Sequence, residues 1–175
     1  MEYRRRYLKP VSLLAQTRAL LRRFDLQARK SLGQHFLIDG EVLKLITSAA
    51  ELAPSDVIME IGPGLGVLTK ELAQQAGWVI AVELDSKLTT ILKQTLVSFK
   101  NISIINKDIM EIEPAALLRE QKAGFPPEIS SPFSYKLVAN LPYYITSPVL
   151  RHFLEASVKP QIMVVTVQKE VAEAI

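Results

Sequence analysis

An α/β fold on a mostly parallel sheet is what this sequence predicts, and three observations carry the prediction. Apolar runs of strand length alternate with stretches whose apolar residues recur at helical spacing, the pattern of strands joined by crossover helices. The first run of that alternation, Val57-Ile58-Met59-Glu60-Ile61, passes into the glycines Gly62, Gly64 and Gly66 and then into a helix-like pattern. Polar residues follow the successive runs: Glu83 and Asp85, then Asp108, then Asn140. Ligands of parallel sheets lie beyond the carboxyl ends of the strands, so these are the positions to inspect.

Taken in order, Pro10 ends an irregular start. Ser12 can cap a helix in which Leu13, Thr17, Leu20, Leu21 and Phe24 share one face. Lys30 to Leu37 is a polar segment leading into the amphipathic stretch Glu41 to Leu52. After Pro54 the first strand is Val57 to Ile61 and its helix Lys70 to Ala76; Gly77 stops that helix. Trp78 to Leu84 is the second strand, Ser86 to Leu96 the second helix of the alternation, Ile102 to Asn106 the third strand and Pro114 to Arg119 a short helix. Gly124 to Ser134 is a Pro- and Ser-rich surface loop. Tyr135 to Ala139 is the fourth strand. Ser147 and Pro148 read as a cap and a first helical proline, opening a helix to Ala156. Gln161 to Val167 is the fifth strand, and Lys169 to Ile175 starts another helix.

At 175 residues the chain fits one domain able to bury a substantial core. It has no cysteine and two well-separated histidines, so no thiolate metal site is available and no metal is expected. No apolar run approaches the roughly 18 residues of a membrane span, and no membrane association is expected. Net charge is +3, unevenly placed: residues 1 to 30 carry nine Lys or Arg against Glu2 and Asp25, a balance of +7 that leaves −4 for the rest. A basic arm on a mildly acidic body suits a polyanion met at one end. The same residues are also compatible with a solvated helix face or an Arg-rich transit peptide.

The glycine spacing selects the ligand. A dinucleotide site has G-x-G-x-x-G, with the third glycine where the helix packs on the strand. Here the spacing is G-x-G-x-G, and Val67 occupies the place of that third glycine. Glu60 would set a negative charge near any phosphate, which favours a ligand with none; S-adenosylmethionine, a nucleoside joined to an amino acid through a sulfonium, is such a ligand. Glu83 stands 21 residues beyond Gly62, about where an acid accepts hydrogen bonds from ribose hydroxyls. The competing role of helix cap before Ser86 suits Asp85 better. Asp108 can accept from an adenine amino group, or cap the turn that follows it. Asn140-Leu141-Pro142-Tyr143 completes the set. An exocyclic amine attacks a methyl group only as it becomes more tetrahedral, and acceptors aimed at its hydrogens favour that change. The Asn140 side-chain oxygen and the Leu141 carbonyl can be those acceptors, with Tyr143 a face on which an extruded base stacks.

These motifs together resemble the ribosomal RNA adenine N6,N6-dimethyltransferases of the small subunit, whose relatives include the macrolide-resistance methylases of the large subunit. The matching segments are S-L-G-Q-H-F-L, E-I-G-P-G-L-G-V-L-T, V-E-L-D, N-K-D-I, N-L-P-Y-Y-I-T-S-P and V-V-T-V-Q-K-E-V-A, from about Arg18 to the last residue. The resemblance implies a class I S-adenosylmethionine-dependent methyltransferase with a Rossmann-like sheet, with residues 1–30 a basic arm and helix and 31–175 the cofactor-binding catalytic domain. It implies cofactor contacts from His35, Leu37, Gly62, Gly64, Glu83, Asp108 and Asn140, and catalytic roles for Asn140, Leu141 and Tyr143. The expected reaction is transfer of methyl groups to two adjacent adenosines near the 3′ end of 16S RNA during small-subunit biogenesis, by a cytoplasmic monomer whose partner is the small-subunit precursor. The alternatives are a large-subunit methylase and a non-catalytic RNA-binding assembly factor. The sequence departs from the family in having His35 where Asn is common and a longer loop at Gly124 to Ser134. The family's further strands and helical C-terminal domain are not in this sequence, which is read as C-terminally truncated and as leaving the fifth strand an apolar edge.

Overall fold

The computed structural model describes residues 12–26, 36–129, 131 and 133–173, with the side chains of Tyr143 and Val171 outside that description. Helices α1 (Leu13–Arg23) and α2 (Gly40–Ala49) precede an alternation of β1 (Val57–Ile61), α3 (Val67–Gln75), β2 (Trp78–Glu83), α4 (Ser86–Thr95), β3 (Ile102–Asn106), α5 (Pro114–Gln121), β4 (Tyr135–Asn140), α6 (Thr146–Glu155), β5 (Met163–Thr166) and α7 (Lys169–Ala172). All four strand pairings are parallel, in the order β3-β2-β1-β4-β5. The chain builds outward from β1 to β3 and then returns to the other side of β1. The order therefore reverses between β1 and β4, the place where open parallel sheets form a ligand crevice.

The continuous apolar reading of β1 follows from burial on both faces: all five of its residues are buried. Val57, Met59 and Ile61 join one core with Tyr135, Leu137, Leu118 and Phe153, while Ile58 joins the other with Val79, Val138, Ile46, Leu68 and Leu72. Each such side chain contributes about 1.5–3 kcal/mol when taken out of water.

Several boundaries differ from the sequence reading. Helix α3 starts at Val67 rather than Lys70, because Gly66 takes a left-handed backbone (φ 79°) and lets the helix begin at once. Helix α6 starts at Thr146, so Ser147 is not its cap and Pro148 is not its first residue. A 3-10 turn over Tyr143–Ile145 runs into α6, and Pro148 still falls among the first helical residues, whose N–H groups have no intrahelical partner. The fifth strand is four residues long and half-buried; among the described residues it pairs with β4 alone. Ser12 and Asp85 cap α1 and α4 as the sequence suggests.

At the amino end of β4, opposite the crevice, Lys136 is buried. Its Nζ lies 2.9 Å from Asp56 Oδ2 and donates to the carbonyls of Ala50 (3.1 Å) and Glu51 (2.6 Å). Asp56 in turn accepts from the Ala53 N–H at 2.7 Å. These bonds secure the exit of α2 where Glu51 turns with positive φ (47°). Removing the lysine leaves a largely buried carboxylate without its counter-charge. Lys136→Met is expected to lower the unfolding free energy by about 3 kcal/mol, measured by urea denaturation at neutral pH.

Candidate functional site

The carboxyl ends of β1, β2, β3 and β4 surround a cavity of ≈ 280 Å³. Of the residues singled out in the sequence, Leu37, Gly62, Gly64, Glu83, Asp108, Asn140 and Leu141 all line it. His35 lies outside the described residues, as does the side chain of Tyr143, whose backbone opens the 3-10 turn beside the cavity.

The glycine loop forms the floor. Gly62, Gly64 and Gly66 all have positive φ (66°, 59° and 79°), a backbone that residues with a Cβ adopt only with strain. A Cβ on Gly62 would meet nothing within 4 Å, so the loop presents bare backbone to open space, whereas one on Gly64 would touch the Phe36 ring at 3.4 Å. The segment before α2 thus folds over the loop, and Phe36 and Leu37 supply the cavity's apolar wall.

Glu83 holds the loop to the next strand. Its Oε2 accepts from the Gly64 N–H at 3.1 Å and its Oε1 from the Asp85 N–H at 2.9 Å. Burial raises the pKa of its carboxyl, an effect that the bonds from Asp85 and Gly64 oppose. Each carboxylate oxygen has a second lone pair, so Glu83 can hold the loop and still accept from a ligand hydroxyl. Asp85, by contrast, caps α4 with its Oδ1. Asn106 fastens the ends of β2 and β3 together by donating to the carbonyls of Glu83 (2.8 Å) and Leu84 (3.1 Å). Asp108 caps the turn after it, Oδ1 accepting from the Met110 N–H at 2.9 Å, and the residue lines the cavity beside Ile109 and Met110.

Across the crevice, Asn140 ends β4. Its Oδ1 accepts a hydrogen bond from the Thr166 hydroxyl on β5. The turn that follows is closed by bonds to the Pro142 carbonyl, from the Ile145 N–H and the Thr146 hydroxyl, both at 3.2 Å. Half-exposed Tyr144 and exposed Lys107 stand in the wall of the cavity and were not singled out in the sequence.

Glu60, read in the sequence as a negative charge beside the glycine turn, is instead shifted toward its neutral form. It is 1% exposed, lines the cavity, and its Oε2 has no hydrogen-bond partner among the described residues. Burial raises its pKa to about 8, and the neighbouring charge of Glu83 pushes the same way. The Thr69 hydroxyl works against them, near enough to favour the anion although not in hydrogen-bonding geometry with it. A buried carboxyl with one oxygen left unbonded beside a cavity suits a ligand that brings a positive charge or a donor.

Known proteins resemble this chain in sequence and in fold. The family model described as ribosomal RNA adenine dimethylase matches residues 25–175. The ribosomal RNA small subunit methyltransferase A of Dehalococcoides mccartyi is 53% identical over 162 residues, 93% of this chain and 52% of that protein. The protein of the same name from Ligilactobacillus salivarius is 44% identical over 158 residues, 90% of this chain and 51% of that one. The chain thus spans about half the length of the curated relatives it matches. Among solved structures, the 23S rRNA methyltransferase ErmE aligns with a TM-score of 0.64 at 33% identity, over 79% of this chain and 50% of that one. A dimethyladenosine transferase from Plasmodium falciparum gives 0.64 at 27% identity, over 79% and 45%. The Rossmann-like methyltransferase fold is shared with both.

The raised pKa of Glu60 has a direction that can be measured. Between 4.5 and about 8 the folded chain keeps a proton on Glu60 that the unfolded chain releases. The stability this contributes is complete below the lower value and is lost as pH rises through the upper one. Relative to Glu60→Gln, the ligand-free wild type is expected to lose up to about 1.4 kcal/mol per pH unit across that window, read by denaturant titration from pH 5 to 8.

Proposed function

The chain belongs to the ribosomal RNA adenine dimethylase family, and we propose that it transfers methyl groups from S-adenosylmethionine to the N6 amines of two adjacent adenosines near the 3′ end of 16S RNA. The observation that carries the reading is the convergence of the Gly62–Gly66 loop, Glu83 and Asp108 with Asn140 and Leu141 around one cavity. The cavity fits the cofactor by its own chemistry: a bare-backbone floor at Gly62 that a ligand can approach closely, and a buried carboxyl at Glu60 whose Oε2 has no hydrogen-bond partner among the described residues, suited to a cationic ligand rather than a phosphate.

In this reading Gly62 meets the methionine portion of the cofactor with Gly64 beside it in the loop, His35 and Leu37 contact the cofactor from the N-terminal segment, Glu83 accepts from the ribose hydroxyls and Asp108 from the adenine amino group. When bound, the cofactor supplies a methyl group on a positively charged sulfur, which departs as a neutral thioether. The chain's task is to bring a poor nucleophile into line with that methyl. Asn140 Oδ1 and the Leu141 carbonyl accept from the two hydrogens of the target amine, drawing nitrogen toward a tetrahedral shape and freeing its lone pair for attack. One of those protons leaves to solvent once the new C–N bond makes the nitrogen acidic, so no strong base is required. Tyr143 offers its ring to the extruded base. The partner is the small-subunit precursor, which places the protein in the cytoplasm.

The large-subunit reading draws on the 33% identity to ErmE. The small-subunit reading is favoured by the higher identity, 53%, to a protein named for the small subunit, and by Leu141 in N-L-P-Y, which suits that branch. Purified chain, labelled S-adenosylmethionine and small-subunit particles lacking the modification are expected to yield dimethyladenosine in the small-subunit RNA, with none in large-subunit RNA offered in parallel. Asn140→Ala is expected to lower the transfer rate by about 10²–10³-fold. Label in large-subunit RNA alone would exchange the target. RNA binding and subunit maturation unchanged in Asn140→Ala would make the protein an assembly factor rather than an enzyme.

A further inference from the structure

Thr166 ends β5 and is the register partner of Asn140 on β4. In parallel pairing, residues opposite each other leave the sheet on the same face, which brings a hydroxyl beside the carboxamide. The Thr166 Oγ1 donates to Asn140 Oδ1 at 2.5 Å. A carboxamide oxygen can accept two hydrogen bonds, so the bond from Thr166 does not by itself prevent Oδ1 from accepting another. The terminal torsion of an asparagine side chain is broad, with no sharp minimum of its own. A bond from a neighbouring strand narrows it, and strand β5 is itself held by four register pairs with β4.

We propose that Thr166 is a positioning residue for methyl transfer: its hydroxyl holds the Asn140 carboxamide in the orientation in which its oxygen meets the incoming amine. Thr166 touches neither cofactor nor base in this arrangement; it acts through Asn140. The inference rests on the proposed transferase reading and adds to it a residue outside the N-L-P-Y segment. It assigns to β5 a part in the chemistry, which the strand's place at the end of the sheet order would not suggest.

The test compares wild type, Thr166→Val and Thr166→Ser on small-subunit particles, with kcat, the particle KM and the S-adenosylmethionine Kd measured for each. Valine keeps the β-branched shape and strand preference while removing the donor. Thr166→Val is expected to lower kcat about tenfold, with KM and cofactor Kd within about twofold of wild type, because misplacement of one aligning group slows the chemical step rather than binding. Thr166→Ser, which restores the hydroxyl, is expected to recover most of the rate. Unchanged kcat in Thr166→Val would overturn the inference, as would a serine variant as slow as the valine one, which would assign the effect to methyl packing. Should Thr166→Val fail to fold by circular dichroism, Thr166→Ala against Thr166→Ser decides the same question. Wild type that binds cofactor but transfers no methyl to either RNA would instead overturn the functional reading on which the inference stands.

Discussion

The placement of β1 between β2 and β4, in parallel and fully buried, is the constraint on which the rest depends. Ile61 is register partner to Val82 on one side and to Ala139 on the other. The next residues out are therefore Gly62, Glu83 and Asn140, three side-by-side positions at one edge of the sheet. Because β1 is covered on both faces, a slip of one residue would exchange its two sets of side chains between cores packed for the other set, so the register that aligns these three is the register that the core enforces. The site is in this sense a by-product of burial.

A second constraint is electrostatic. Glu60 and Glu83 are both buried, and loss of water is the largest cost of ionising each; a neighbouring carboxylate adds less, Glu83 for Glu60 and Asp85 for Glu83. Their environments differ. Glu83 is compensated by two backbone N–H groups and so stabilises the glycine loop, while Glu60 has an oxygen with no such partner. An empty loop of three left-handed glycines would be costly to order without the Glu83 bond to Gly64. The same carboxylate that is proposed to meet the ribose is thus also a brace for the loop beneath it, which makes any substitution there act on both.

Much of this was legible in the sequence because local rules and global fold agree. The five strands, the capping by Ser12 and Asp85, and the cluster of Gly62, Gly64, Glu83, Asp108 and Asn140 all follow from short-range pattern plus the rule that ligands meet strand ends. The errors came where pattern is silent. The start of α3 depended on Gly66 adopting a left-handed backbone, and the start of α6 on a 3-10 turn that preceded the apparent Ser147-Pro148 signal. Asp108 reads in the sequence as either a cap or a ligand, and in the structure its Oδ1 caps the turn while the residue lines the cavity, since a carboxylate that caps keeps further acceptor sites.

By itself, then, the sequence determined the order of strands and helices, the glycine turn, and the residue types brought to the strand ends, since each depends on neighbours within a few positions. Only tertiary structure decided that β4 returns beside β1, that Lys136 secures the end of α2 more than eighty residues earlier, and that Thr166 lies against Asn140. It also decided how Glu60 ionises. Pairing partners and desolvation are properties of groups distant in the chain and close in space, and no window along the sequence contains them.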